Sequence, residues 1–346
     1  MEKLKVGIAG YGVVGKRRHQ FIKQNSNLIV TAICDKSFQD GVNALENLKV
    51  YQRFYDLIQK EDLDILFVCL TNDVAAEATI LGLKKSLHVF CEKPPGRNLR
   101  EIEEVREVEK QSPALKLKYG FNHRYHDSIR EALKIVTSGK MGKVINIRGI
   151  YGKSVIVNVA DGWRANREIA GGGILLDQGI HMVDLIRLFA GEMEEVKSYI
   201  SNSYWNLNVE DNAFALMKSE SGVIVQFQST ATEWRHRFNL QINMGEGSLV
   251  LAGILSGSKS YGQETLTIYP KDLESGGNPR IEMINYLEDN SWRDEINEFT
   301  DHILKNESVK TGSSLDAYQT MKLVYQIYYA DPVWREKFSV SNPDRK

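Results

Sequence analysis

A short run from Leu4 to Ala9 leads directly into Gly10-Tyr11-Gly12-Val13-Val14-Gly15, and this junction constrains the chain more than any other feature. A buried strand that ends in G-x-G-x-x-G and opens a helix predicts the first βα unit of a dinucleotide-binding sheet. Gly10 permits the tight turn, Gly12 lets the backbone approach a pyrophosphate, and Gly15 lets helix and strand pack closely. The helix N-terminus then offers unpaired amides and a partial positive charge to the phosphates. Asp35 stands twenty residues after Gly15, at the end of a second apolar run, where a carboxylate accepts hydrogen bonds from an adenosine ribose. Asp35 favours NAD, because a carboxylate repels a 2′-phosphate. Lys36 beside it, with Lys16, Arg17 and Arg18, keeps NADP as the alternative; otherwise those three basic residues form a solvated patch.

The first 120 residues repeat this strand-then-helix pattern. Apolar runs at Leu4–Ala9, Leu28–Cys34, Ile65–Leu70, Leu87–Cys91 and Leu115–Phe121 lack polar alternation, as parallel strands buried on both faces do. Segments such as Arg100–Glu109 between them read as crossover helices, so the region predicts a doubly wound parallel sheet. After residue 122 the pattern changes. A helix at His126–Ser138, a strand at Val144–Tyr151 and a helix at Ile174–Ala190 precede strictly alternating segments. Phe238, Leu240, Ile242 and Met244 alternate with Asn239, Gln241 and Asn243, and Val223, Val225 and Phe227 behave likewise. Such alternation predicts antiparallel strands with one packed face, and Lys218–Gly222 reads as a hairpin turn. Helices at Trp292–Leu304 and Leu315–Tyr329 close the chain. The expected architecture is α/β: a Rossmann domain over residues 1–121, then an α+β domain with an open, mostly antiparallel sheet over residues 122–346. The second domain would bind substrate and a partner subunit, and its C-terminal helix has the option of packing back on the first.

The net charge of −1 argues against nucleic acid or an anionic membrane as partner. Cys34, Cys69 and Cys91 each lie in an apolar run, and an odd, sparse count does not make a disulfide framework. No stretch of 18 purely apolar residues is present, and no room for a signal peptide precedes Leu4, so the expected location is the cytoplasm. His123 and His126 form H-x-x-H, but no third ligand shares their spacing, so no metal is expected.

Two places carry candidate chemistry. The fifth apolar run ends in Glu92-Lys93-Pro94-Pro95 at the carboxyl edge of the sheet, where ligands of such sheets bind. Lys93 there either exchanges a proton or is a solvated side chain before a turn. In Gly171–Phe189, Asp177, His181 and Asp184 follow helical spacing and share a face, with Leu176, Val183 and Ile186 elsewhere. A His beside a carboxylate is a titratable base with a held tautomer, or else a core His satisfied by an Asp.

Taken together, the Gly10–Gly15 turn, Glu92-Lys93-Pro94, Gly120-Phe121-Asn122-His123-Arg124 and the GGGILLDQGIHMVDL stretch resemble the Gfo/Idh/MocA oxidoreductase family over nearly the whole chain. The resemblance implies an NAD(P)-dependent dehydrogenase or ketoreductase acting on CH–OH groups of sugars, nucleotide sugars or cyclic polyols. It makes Lys93, Asp177 and His181 the catalytic set, with His181 as general base or acid and Asp177 as orienter. It implies that Lys93 lies by the nicotinamide and the substrate and is the base in some members, that Glu92 shapes the turn, that Thr71-Asn72 and Trp163-Arg164 line the cofactor, and that Asn122, Arg124 and Arg164 reach the substrate. Ala76 stands where the family often has a His, and His123 receives no role. Tyr151, Asn166, Arg167, Trp234 and His236 are further polar candidates, and the loop Lys153–Ala170 is the expected specificity element. The resemblance also implies a homodimer or homotetramer formed through the open sheet. The alternatives it leaves are an NAD-dependent glycosidase and a non-catalytic NAD-binding regulator.

Overall fold

The computed structural model describes residues 2–43, 48–256 and 260–344. The chain forms two compact units, one of residues 1–122, 168–171 and 291–318, the other of residues 123–167, 172–290 and 319–346.

The first unit is built on seven strands: β1 Leu4–Ala9, β2 Leu28–Cys34, β3 Gly41–Asn43, β4 Leu48–Tyr51, β5 Ile65–Val68, β6 His88–Cys91 and β7 Leu117–Tyr119. Their order is β3-β4-β2-β1-β5-β6-β7, and every neighbouring pair except β3–β4 is parallel. Sequential strands leave β1 in opposite directions, so the sheet reverses between β1 and β5 and opens a crevice at their carboxyl ends. Val6, Ile8, Ile65, Phe67 and Phe90 are fully buried because helices cover both faces. These helices are α1 Val13–Ile22, α2 Phe54–Lys60, α3 Asn72–Lys84 and α4 Leu99–Lys110. In α4, Asn98 caps the first turn by accepting the Glu101 N–H, and Ile102 and Val105 bury one face. Strands β3 and β4 carry three and four residues, too few for the periodicity that reveals the others.

Helix α1 breaks the usual rule for a core-facing stripe. Its buried positions are Gly15, Arg18, His19 and Ile22, so a guanidinium lies where a leucine is expected. Arg18 is therefore not part of a solvated patch. Its Nε donates to Glu92 Oε1 at 2.6 Å, and its Nη2 lies 2.8 Å from Glu295 Oε2 on the helix Ser291–Leu304. The Phe90 and Trp292 rings sandwich the guanidinium, each centroid 4.3 Å away. A buried charge is tolerated only when paired, and here two carboxylates and two aromatic faces meet that need. Burial drives the Glu295 pKa up to about 7, against the pull of Arg18 and Lys118.

The second unit holds β8 Val144–Ser154, β9 Met193–Ser201, β10 Asn212–Ser219, β11 Ile224–Glu233, β12 Arg237–Met244, β13 Gly247–Ala252, β14 Glu264–Pro270 and β15 Glu282–Tyr286. The order is β15-β14-β13-β12-β8-β11-β10-β9, antiparallel throughout except for β8–β11. The hairpin at Lys218–Gly222 joins β10 to β11, with Gly222 at φ +88°. Phe238, Leu240, Ile242 and Met244 are buried as the alternation requires. Helices α5 Asp127–Thr137 and α6 Ile180–Ala190 cover one face, where Gly149 leaves room for Met182. The opposite face exposes Tyr199, Phe214 and Leu216, with Phe214 paired to Tyr199 in register. The stretch 167–190 is long and apolar enough to cross a membrane by composition, yet most of it is buried inside the fold, as a core helix is.

A group whose folded-state pKa is raised contributes stability that is present below its unfolded value and lost as pH rises through the folded value. Glu295 therefore weakens the fold between about 4.5 and about 7. Glu295→Gln should gain on wild type by roughly 5 °C in Tm between pH 5 and pH 8, read by thermal melts. A difference that stays flat over that range would show that Glu295 titrates as in the unfolded chain.

Candidate active site

The glycine turn of the first unit is shaped from two sides. Gly10 sits at φ +92°, and a Cβ there would lie 2.2 Å from the Cys69 carbonyl. A Cβ on Gly15 would fall 2.0 Å from the Gly10 carbonyl. Gly12, in contrast, is exposed and meets nothing within 4 Å. It caps α1 without a side-chain bond, and no acidic residue occupies the first turn. The early amides of the helix thus face an open space that suits an anion, and the largely exposed Val13 leaves the approach apolar. The cradle fits a dinucleotide pyrophosphate.

Asp35 follows β2 and is already oriented. Its Oδ2 accepts the Tyr11 N–H at 3.1 Å, and its Oδ1 accepts the Ser37 N–H and hydroxyl at 3.0 and 2.7 Å. Burial works against its charge, but the Ser37 and Tyr11 bonds and the nearby Lys36 prevail, so its pKa is lowered and the group stays an acceptor. Tyr11 is steadied by its hydroxyl on His19 Nδ1 and by the Phe38 ring, while Lys36 is exposed. Val14 is half-buried in the first turn of α1. Thr71 precedes α3, and Asn72 donates its side-chain amide to the Ala170 carbonyl at 2.7 Å, which occupies Asn72 inside the unit. Ala76 is buried against the core.

Glu92 links the end of β6 to the Arg18 pair described above, and the half-buried Lys93 follows it at a cis Lys93–Pro94 peptide. Gly120 makes room here, since a Cβ would sit 2.8 Å from Glu92 Oε2. Asn122 donates to Ser291 Oγ at 3.1 Å and is buried.

In the second unit, the glycine-rich stretch is held by a residue that its own sequence does not announce. Buried Glu210 accepts the N–H of Gly173 at 2.8 Å, the N–H of Leu175 at 3.0 Å and the hydroxyl of Tyr328 at 2.5 Å. A Cβ on Gly173 would lie 2.0 Å from the Glu210 carbonyl, and one on Gly172 would lie 2.3 Å from the Tyr328 hydroxyl. Only glycine allows this approach. Burial pushes the Glu210 pKa up, while Tyr328 and the backbone donors pull it down. The turn leads into a π-helical segment, Leu175–Gly179, before α6 begins. Asp177 lies in that wider turn, while His181 and Asp184 lie in α6.

Each of the three has its own partner. Arg164 Nε lies 3.1 Å from Asp177 Oδ1, and its guanidinium covers the Trp163 ring at 4.3 Å. His181 is buried and lies flat on the His123 imidazole, with ring centroids 3.7 Å apart. Asp184 is a structural anchor instead, taking the Arg124 guanidinium through two bonds of 2.7 Å and the Thr320 hydroxyl at 2.9 Å. Arg124 is thus committed to Asp184 beneath the motif. Asp177 and Arg164 line a cavity of about 190 Å³ of mixed character, where Lys153, Asn158, Asp161 and Asp211 stand beside Val159, Ile174, Leu207 and Val209. The loop before the glycines walls this cavity, as a specificity element would.

The remaining polar candidates have other partners. Tyr151 bonds His123 Nε2 at 3.1 Å, and His236 Nδ1 accepts the Ser154 N–H at 2.8 Å. Arg167 covers the Phe338 ring at 4.0 Å, while Trp234 and Asn166 are exposed. His126 meets Glu264 at 2.8 Å, and that bond with Ser128 holds the Glu264 pKa down against burial. Glu210, Tyr328, Glu295 and Trp292 escape sequence reading because their partners are more than thirty residues away. A lone Glu at 210 between Val209 and Asp211 gives no periodic signal.

Removing Glu210 leaves two backbone N–H groups and a tyrosine hydroxyl buried without an acceptor. Glu210→Ala is expected to cost on the order of 3 kcal/mol, measured by urea unfolding, and a cost below about 1 kcal/mol would show that water replaces the carboxylate.

Residues 4–121 match the model of the oxidoreductase family with an NAD-binding Rossmann fold, and residues 129–250 match the GFO/IDH/MocA C-terminal domain. The chain is 28% identical to 1,5-anhydro-D-fructose reductase of Ensifer adhaerens over 218 residues, 61% of this chain and 63% of that protein's length. It is 24% identical to D-glucoside 3-dehydrogenase of Escherichia coli K12 over 353 residues, 94% of each. The fold matches levoglucosan dehydrogenase in complex with NADH and levoglucosan at a TM-score of 0.83, with 19% identity and coverage of 96% of this chain and 98% of that one.

Proposed function

The chain belongs to the Gfo/Idh/MocA oxidoreductases, and on that premise we propose that it exchanges a hydride between NAD and the hydroxyl- or ketone-bearing carbon of a sugar, nucleotide sugar or cyclic polyol. The observation that carries this reading is the cavity walled by Asp177 and Arg164, part polar and part apolar, in the unit that lacks the glycine cradle. Residues 1–121 would hold the dinucleotide, and residues 122–346 the substrate.

NAD held there would supply a hydride acceptor for the carbinol carbon. The chain's own residues handle the proton and the geometry. Gly12 and the first turn of α1 receive the pyrophosphate, and Asp35 accepts the ribose hydroxyls. Asp177 and Arg164 present acceptors and donors to substrate hydroxyls, which a site built for them discriminates strongly from analogues without them. His181, or Lys93, takes the proton of the reacting hydroxyl as the C–H bond breaks, and returns it in the reverse direction. Asn122 and Arg124 act from behind as braces, through Ser291 and Asp184. The relatives named above are dehydrogenases and a reductase, which does not favour a glycosidase or a regulator.

The reading extends to assembly. The exposed apolar face around Tyr199, Phe214 and Leu216 suits a second copy of the chain, as homodimer or homotetramer, because such a patch is costly in water. The three free cysteines fit a reducing, cytoplasmic setting.

Two measurements check the proposal. Lys93→Ala and His181→Ala should each lower turnover by at least about 100-fold on whichever polyol of a NADH-fluorescence screen wild type oxidises. Both should leave the NAD dissociation constant within about threefold. Equal loss of NAD binding in both variants would remove these residues from proton transfer. Leu216→Arg should shift the chain to monomer in light scattering. An unchanged mass would place the interface elsewhere.

A further inference from the structure

We propose that His123 is a positioning residue for this reaction: its imidazole lies flat on that of His181 and fixes the plane in which His181 exchanges a proton. The inference rests on the oxidoreductase reading, since that reading makes the reacting hydroxyl the source of the proton.

The two rings are 3.7 Å apart with an interplanar angle of 16°, and both residues are more than nine-tenths buried. Flat contact of this kind restrains rotation of the His181 ring about its bond to Cβ, which a shapeless apolar contact does not. His123 is itself fixed. Its Nε2 meets the Tyr151 hydroxyl at 3.1 Å, and the His126 ring stands edge-on at 5.4 Å, anchored on Glu264. Tyr151 in turn stands edge-on to Phe238 and to Tyr261, and the Tyr261 hydroxyl takes the amide of Gln178. Gln178 is the neighbour of Asp177. A closed series of contacts therefore runs from one end of the D-x-x-x-H motif to the other through His123.

The covalent neighbours support the same assignment. Arg124 follows His123 and clamps Asp184, three residues beyond His181, through two short bonds. The turn that carries one ring and the helix that carries the other are thus locked together at a second point. A buried pair held this rigidly matters for rate, because misplacing a reacting group by about 1 Å costs on the order of 100-fold.

The test uses the NAD-loaded chain, with myo-inositol and levoglucosan as probes. His123→Ala removes the ring. The double variant His123→Phe/Tyr151→Phe keeps a flat ring and also removes the hydroxyl that would lose its partner. His123→Ala should lower kcat by about 10- to 100-fold with KM within about threefold, and the double variant should recover to within about threefold of wild type. Independently of turnover, the imidazole nitrogen signals of His181 in long-range 15N spectra should broaden in His123→Ala and remain sharp in the double variant. Assignment would come from their loss in His181→Ala. Unchanged kcat with sharp signals in His123→Ala overturns the proposal, as does equal loss of kcat in both variants at native Tm. If wild type oxidises neither probe nor any other polyol, the oxidoreductase reading falls, and the nitrogen spectra alone decide whether His123 holds His181.

Discussion

Glu210 is a carboxylate without solvent, and the second unit is arranged around satisfying it. Its two oxygens take backbone N–H groups from Gly173 and Leu175 and the hydroxyl of Tyr328. The price is steric, because the backbone must come so close that no side chain fits at 172 or 173. Once that grip exists, the entry to the π-helical turn is fixed, and Asp177 and His181 take their places from it. The glycines are thus packing requirements of a buried acid before they are anything catalytic.

The first unit shows the same economy with the charges reversed. Arg18 fills a core position of α1 and is neutralised by Glu92 and Glu295 between two aromatic rings. Because Glu92 precedes Lys93 directly, the pair that stabilises the core also sets where the strand delivers its lysine. Replacing such a network with apolar residues is often neutral for stability. What the network adds at this position is registration, since a hydrocarbon core would not fix the end of β6 against α1.

Much of this was legible in one dimension. β1 and β2 run over Leu4–Ala9 and Leu28–Cys34, the bounds read from the apolar runs, because strands buried on both faces tolerate few polar residues. Alternation likewise located Phe238–Met244 with the right face inward. The short pair β3–β4 and the five-residue edge strand β15 escaped, since three to five residues carry no period. The shared face of Asp177, His181 and Asp184 was a regular-helix argument, and the structure sets Asp177 in a π turn at Leu175–Gly179 ahead of the α-helix that carries the other two. Arg18 appeared to belong with Lys16 and Arg17, because charge in a helix normally faces water.

Local chemistry needs only local sequence: three glycines after a strand, and an aspartate at the end of the next, determine a turn with open amides and a charged acceptor beside it. The α/β class and the change of sheet type near residue 122 were determined in that way, and Lys93, Asp177 and His181 were singled out as candidates. Partnership between distant groups was decided only by the folded chain. Glu210 with Gly173, Arg18 with Glu295, Arg124 with Asp184 and His123 with His181 are separated by tens to hundreds of residues, and burial selects them. Away from water, a charge or a polar ring must find its complement, and nothing in the spacing of residues says which complement the fold will bring.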